Sequence, residues 1–224
     1  MDTVVRNTEH LRRKLLRLCA MVEENARRAV LAFRSRDRYA AVEIIKADED
    51  VNLMEIAIEE NCISLLNAAS RDVEDTRLIV AALRINSDLE RIGDLATNIA
   101  RRVLHMGQSE QVLIPQELST LANRTLEMLS NALDAFVDLD TEMAQRVCER
   151  DQEVDRLNRQ MYDLVQERIL ADPAQTEKLI SYLSVSRYLE RIADYATNIA
   201  ENVVFISEGN IIRHRNGDVF PPAP

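Results

Sequence analysis

The stretch from Leu89 to Val103, LERIGDLATNIARRV, returns 100 residues later, from Leu189 to Val203, as LERIADYATNIAENV, with four of its fifteen positions changed. The match extends beyond this phrase. Asp37, Ala41, Asp48 and Val51 pair with Asp140, Ala144, Asp151 and Val154 at an offset of 103. A fixed offset sustained over most of a chain points to tandem duplication. The 224 residues therefore divide into two similar halves.

Helical periodicity dominates both halves, and no alternating strand pattern competes with it. Leu11, Leu15, Leu18, Val22, Ala26, Ala29 and Phe33 recur at intervals of three and four. Polar breaks fall at Ser35-Arg36-Asp37, Ser70-Arg71-Asp72, Asp138-Leu139-Asp140 and Asp172-Pro173, with a longer one from Gly107 to Pro115. At Asp172-Pro173 an N-cap acid and a preset φ predict a helix start. The spans between breaks run to about 30 residues, on the order of 45 Å of helix each. The expected fold is all-α: six long antiparallel helices in two tandem three-helix bundles, related by a pseudo-twofold axis. Residues 1–106 form the first repeat, 107–115 a linker, 116–208 the second repeat and 209–224 a flexible tail.

Composition narrows the function. Apolar residues make up 46% of the chain and charged residues 29%, enough to bury a sizeable core. A formal charge of −10 argues against nucleic acid or an anionic membrane surface as the main partner. Cys19, Cys62 and Cys148 are odd in number, far apart and set among apolar residues. They read as buried thiols of a reducing compartment, without disulfide or zinc spacing. No signal peptide is evident, and no apolar run reaches the roughly 18 residues of a membrane span. A cytoplasmic location without membrane insertion is expected.

Within the repeated phrase, Leu89, Ile92, Ala96, Ile99 and Val103, and their counterparts from Leu189 to Val203, form a packing seam with 3-4 spacing. The seam leaves the polar identities unexplained. On a wheel at about 100° per residue, Thr97, Glu90, Asp94 and Asn98 share a face turned away from the seam, as do Thr197, Glu190, Asp194 and Asn198. A face that is merely solvated is free to drift, yet this one is written twice with the same residues. Carboxylates at i and i+4 project about 6 Å apart and can meet one cation. The preceding helix can supply more oxygens. Counted from a turn near Arg71, Asp48 lies level with Asp94 and Asn52 with Glu90. Counted from Asp172, Asp151 lies level with Asp194 and Asp155 with Glu190.

Two oxygen-rich groups follow. The first comprises Asp48, Asn52, Glu90 and Asp94, with Asn98 alongside. The second comprises Asp151, Asp155, Glu190 and Asp194, with Asn198 and Glu201 alongside. Such donors suit hard ions: iron, manganese, magnesium or calcium. His10, His105, His214 and the cysteines lie outside them, and His105 is placed to meet carbonyls at a helix C-terminus. A ferritin-like di-iron centre needs Glu-x-x-His pairs, which are absent. No Gly-rich phosphate loop, Cys–His pair or G-x-S-x-G elbow is present.

Two three-helix units, each with Glu-x-x-x-Asp-x-x-x-Asn on its third helix and Asp-x-x-x-Asp/Asn on its second, resemble the PhoU family over nearly the whole chain, up to about Glu208. The family's acidic motifs fall on Asp151 and Asp155, on Glu90 and Asp94, and on Glu190 and Asp194. Asn52 departs from the pattern by replacing a carboxylate with an amide, whereas Glu201, at the place of Arg101, adds an acid. The second group is therefore expected to bind cations more strongly. The resemblance implies metal clusters in some members. It also implies a non-catalytic homodimer that restrains phosphate uptake and the phosphate-starvation response through the phosphate ABC transporter ATPase and a sensor histidine kinase. Apolar stripes that one three-helix unit leaves uncovered favour a dimer as well. A metal-dependent enzyme using the carboxylates, a plain helical scaffold, and service to a different phosphate permease remain open alternatives.

Overall fold

The structure, a computed structural model, describes residues 2–67, 73–106 and 113–209. Six α-helices account for almost all of them: α1 (Asp2–Ser35), α2 (Arg38–Asn67), α3 (Val73–His105), α4 (Gln116–Asp138), α5 (Thr141–Ala171) and α6 (Thr176–Glu208). Among the described residues there is no strand, and no helix is long and apolar enough to cross a membrane. The expected break at residues 70–72, residues 107–112 of the expected linker and residues 210–224 of the expected tail lie outside the described residues.

In each half every helix packs on the other two, and the halves meet through α3 against α6 and α1 against α4. Exchanging α1, α2, α3 with α4, α5, α6 leaves this set of contacts unchanged, as a pseudo-twofold relation requires. The repeated seam lies at the centre. Leu89, Ile92, Ala96, Ile99 and Val103 are buried, and so are Leu189, Ile192, Ala196, Ile199 and Val203. The halves are tied further by Phe33 edge-on to buried Tyr182, with ring centroids 5.9 Å apart. Arg12 donates to the Val137 carbonyl at 2.8 Å and Arg34 to Asn123 Oδ1 at 2.6 Å.

The polar breaks become matching turns. Arg36 (φ 56°) and Leu139 (φ 53°) are left-handed residues at equivalent positions. After each, a backbone N–H reaches back into the preceding helix, Asp37 to the Ala32 carbonyl at 2.9 Å and Asp140 to the Ala135 carbonyl at 3.0 Å. The same two aspartates cap the following helices, accepting from Ala40 N and Met143 N at 2.9 Å. Each acid closes one helix through its backbone and opens the next through its side chain.

The expected start at Asp172-Pro173 is displaced. Asp172 accepts from Ala174 N at 3.1 Å, but it caps a single 3-10 turn, Pro173–Gln175, and α6 begins at Thr176. The Thr176 hydroxyl takes the Pro173 carbonyl at 2.7 Å, and the Gln175 N–H takes that of Asp172 at 3.2 Å. These tight local bonds delay the regular helical pattern by one turn.

Replacing Asp37 or Asp140 by Ala should cost about 1 kcal/mol each, lowering the melting temperature by about 2–4 °C. Circular dichroism melts of the single variants and of the pair check this, with the two losses expected to add because the turns lie in separate halves.

Candidate functional site

The packing of α3 on α2 and α1, and against α6 at the centre, sets where its polar face can go. Glu90 is half-buried and Asp94 exposed, facing half-buried Asp48 on α2. Close approach of the two helices depends on Gly93. A Cβ there would lie 3.2 Å from Val51 Cγ1 and 3.6 Å from Asp48 Oδ1. The second half carries Ala193 at this position, also buried.

In the first group Asp48 is hydrogen-bonded to the side chains of Thr97 and Asn52. Burial and the Asp94 charge raise its pKa, while Arg101 opposes the rise. Glu90 is raised by burial, then by Asp94, Glu55 and Asp48. The structure thus brings Asp48, Asn52, Glu90 and Asp94 together. Asn98 lines a cleft of about 280 Å³ with Glu90, Asp94, Arg91, Arg191 and Tyr195.

The second group is more strongly charged. Asp151 is pushed up to about 6 by burial and then by Asp194, Asp155, Glu190 and Glu201. Its Oδ1 is buried without a hydrogen-bond partner. Glu190 and Asp194 are raised as well, by burial first and by neighbouring acids next. Asn198 shares the α6 face one turn beyond Asp194, and its backbone carbonyl accepts from Asn202 at 2.8 Å.

Glu55 and the acids around Cys148 had no separate signal in the sequence, whereas Thr97, expected on the outward polar face, is buried. Glu55 joins the first group from α2, one turn beyond Asn52. Thr97 bonds Asp48, whereas its counterpart Thr197 turns back to the Asp194 carbonyl at 2.7 Å. Cys148 corrects the reading of three buried thiols lying apart from the acids. It is half-buried and held up at about 12 by burial, then by Glu201 and Asp151. One turn of α5 separates it from Asp151, so its apolar sequence neighbours pointed to the interior and gave no sign of the acids beside it. His105 Nδ1 lies 2.7 Å from the Arg101 carbonyl, at the helix end as expected.

These residues fit a hard cation in their chemistry: clustered carboxylates, an orphaned buried oxygen and no soft donor available as thiolate. As the side chains stand, the His, Cys, Asp and Glu of the described residues form no group of three or more that could hold one ion. A metal would have to draw the carboxylates inward from their mutually repelling positions.

The pKa pattern carries a stability sign. Asp151 has a folded pKa of about 6 against an ordinary 3.8, so the native state holds its proton more tightly than the unfolded chain. Its penalty is absent below about pH 4, grows as pH rises through 6 and is complete above. In chelator, Asp151→Asn should therefore melt higher than wild type at pH 7.5 and converge with it near pH 4. A difference that widens on acidification would contradict the assignment.

A family model described as the PhoU domain matches residues 15–103 and again 118–203. The phosphate-specific transport system accessory protein PhoU of Serratia marcescens is 30% identical over 212 residues, 95% of this chain and 87% of that protein. A PhoU homolog of Pseudomonas putida is 33% identical, across 92% of this chain and 81% of that protein. The crystal structure of PhoU from Pseudomonas aeruginosa superposes with a TM-score of 0.89 at 31% identity, covering 92% of this chain and 99% of that one. The phosphate transport system regulatory protein PhoU from Streptococcus pneumoniae gives 0.83 at 31% identity, covering 93% and 99%. With both halves matched and the whole architecture shared, the chain belongs to the PhoU family.

Proposed function

We propose that this chain is an accessory regulator of phosphate transport that restrains uptake and holds the phosphate-starvation response off. It acts by contact with the phosphate ABC transporter ATPase and a sensor histidine kinase, as a homodimer in the cytoplasm, without catalysis of its own. The observation that carries this reading is the match of both halves, over nearly the full chain, to proteins named as accessory or regulatory components of phosphate transport. The net charge of −10 makes direct attraction to anionic lipid weak, so proximity to the membrane would come from protein partners.

The duplicated acidic face supplies the surface on which contact could be tuned. Asp151, Asp155, Glu190 and Asp194 would hold a hard cation in the second half, with Glu201 adding charge. Asp48, Asn52, Glu90 and Asp94 would hold one more weakly in the first half, where Arg101 opposes it. The cation would supply charge neutralisation and cross-link α5 to α6, or α2 to α3. Support comes from the orphaned Asp151 Oδ1 and from the raised pKa values of Asp151, Glu190 and Asp194.

Deleting the gene should raise expression of a phosphate-starvation reporter in phosphate-rich medium, and the wild-type chain should restore repression. Unchanged reporter expression in a strain without a paralogue would overturn the regulatory reading. The double variant Glu190→Ala, Asp194→Ala should restore repression poorly, and Mn²⁺ should raise its melting temperature less than that of wild type. Full repression by the variant would remove only the second group from the mechanism.

A further inference from the structure

The outward face of α2 carries a second seam. Tyr39, Val42, Lys46, Glu49, Leu53 and Ile56 succeed one another at intervals of 3, 4, 3, 4 and 3, the heptad spacing of a coiled-coil contact. The intracatenary seam of α2 is a different set, including Ala41, Ile44, Val51 and Ile58, all buried. On the outward set Tyr39 is 77% exposed, Leu53 60% and Ile56 50%. The same spacing continues through Glu60 to Ile63, which is 51% exposed. A groove beside Leu53, lined by Met21, Met54 and Ala57 together with Arg17 and Asp50, extends this face toward α1.

The duplication supplies an internal control. At the offset of 103, the positions of Tyr39, Val42, Leu53, Ile56 and Ile63 are held on α5 by Glu142, Gln145, Arg156, Arg159 and Gln166. All five of these positions on α5 are therefore polar or charged. The apolar residues on α2 are thus not demanded by the fold of a half.

We infer that the outward face of α2 is the surface on which a second copy of this chain docks, α2 against α2 in antiparallel register about a twofold axis midway between residues 47 and 48. The register follows from charge. In an antiparallel pair centred there, residue numbers in each layer sum to 95. Lys46 meets Glu49 of the other copy, Val42 meets Leu53, and Tyr39 meets Ile56. Each of these three layers joins complementary groups, and the twofold axis gives each one twice; Glu60 and Ile63 lie beyond the paired span of α2. The two charged positions, which would weaken an apolar seam by themselves, become a device that fixes register and orientation. Polar residues at single core positions select alignment in this way. The inference deepens the homodimer reading above by naming its surface.

Sedimentation across a concentration series, with the full chain, tests it. Wild type should associate, and Leu53→Arg with Ile56→Arg, which copies the residues found on α5, should leave a monomer of unchanged helical content. Lys46→Glu places like charges in both central layers and should weaken association at least tenfold, as should Glu49→Lys. The double variant Lys46→Glu, Glu49→Lys should restore it to within about threefold, since both layers are again opposite in sign. Mixing the two single variants should give a heterodimer, because both central layers then pair a lysine with a glutamate. A wild type that stays at 25.6 kDa at every concentration would overturn both this surface and the homodimer. A dimer indifferent to all these variants would overturn the surface and leave the homodimer standing. Weakening by the arginine variant without rescue by the swap or the mixture would overturn the antiparallel register.

Discussion

The contact of α3 with α6 is the constraint on which the rest of the molecule depends. Each of these helices has three packed neighbours, so most of its circumference is committed to burial. Leu89, Ile92, Ala96 and Ile99 are fully enclosed, as are Leu189, Ala196 and Ile199. The edge left over lies beside α2 in one half and α5 in the other. Polar side chains on the central helices are therefore forced into two narrow strips, and acids contributed from both walls of a strip must lie close together. The crowding of carboxylates is a consequence of how the core is shared. It raises the pKa values that accompany it: burial comes first among the causes at Asp48, Glu90, Asp151, Glu190 and Asp194, and repulsion follows.

The two strips are not electrostatic equals. Asn52 in place of a carboxylate and Arg101 in place of Glu201 moderate the first, where Asp48 also receives hydrogen bonds from Thr97 and Asn52. The second has no such relief at Asp151, all of whose main influences raise it. Packing adds to the difference. Gly93 allows Val51 to come within a distance that a side chain could barely occupy, while Ala193 fills the corresponding place in the other half. Sequence divergence between repeats has altered both the charge of the walls and the residue that lies between them.

Much of this was legible from residue order. Helix number, the turns at Arg36 and Leu139, the central seam and the grouping of Asp48 with Asp94 follow from periodicity and from counting along an antiparallel hairpin. What stayed hidden depends on how one helix is rotated against another. Tyr195 stands where the first half has Leu95, a visible difference. Yet its role requires the α3–α6 placement, which brings Arg91 to 5.9 Å from a ring centroid that Arg191, one turn earlier on the same helix, meets at 6.0 Å. Glu55 and Cys148 were overlooked for the same reason: level matching fixes height along a helix and leaves azimuth undetermined. The Asp172-Pro173 start was misplaced by one turn because the same residues cap a 3-10 turn as readily as an α-helix.

The paired turns carry a record of order in time. A non-glycine residue in the left-handed region costs roughly 1–2 kcal/mol, and nothing about a helical hairpin demands Arg in one case and Leu in the other. Both halves nevertheless keep the left-handed residue, the backward N–H contact and the aspartate cap at matching positions. Such a combination is most simply inherited whole. The hairpin geometry was thus already settled in the single-unit ancestor, and the differences of Tyr39 from Glu142, of Asn52 from Asp155 and of Leu95 from Tyr195 belong to the later history in which the two copies went separate ways.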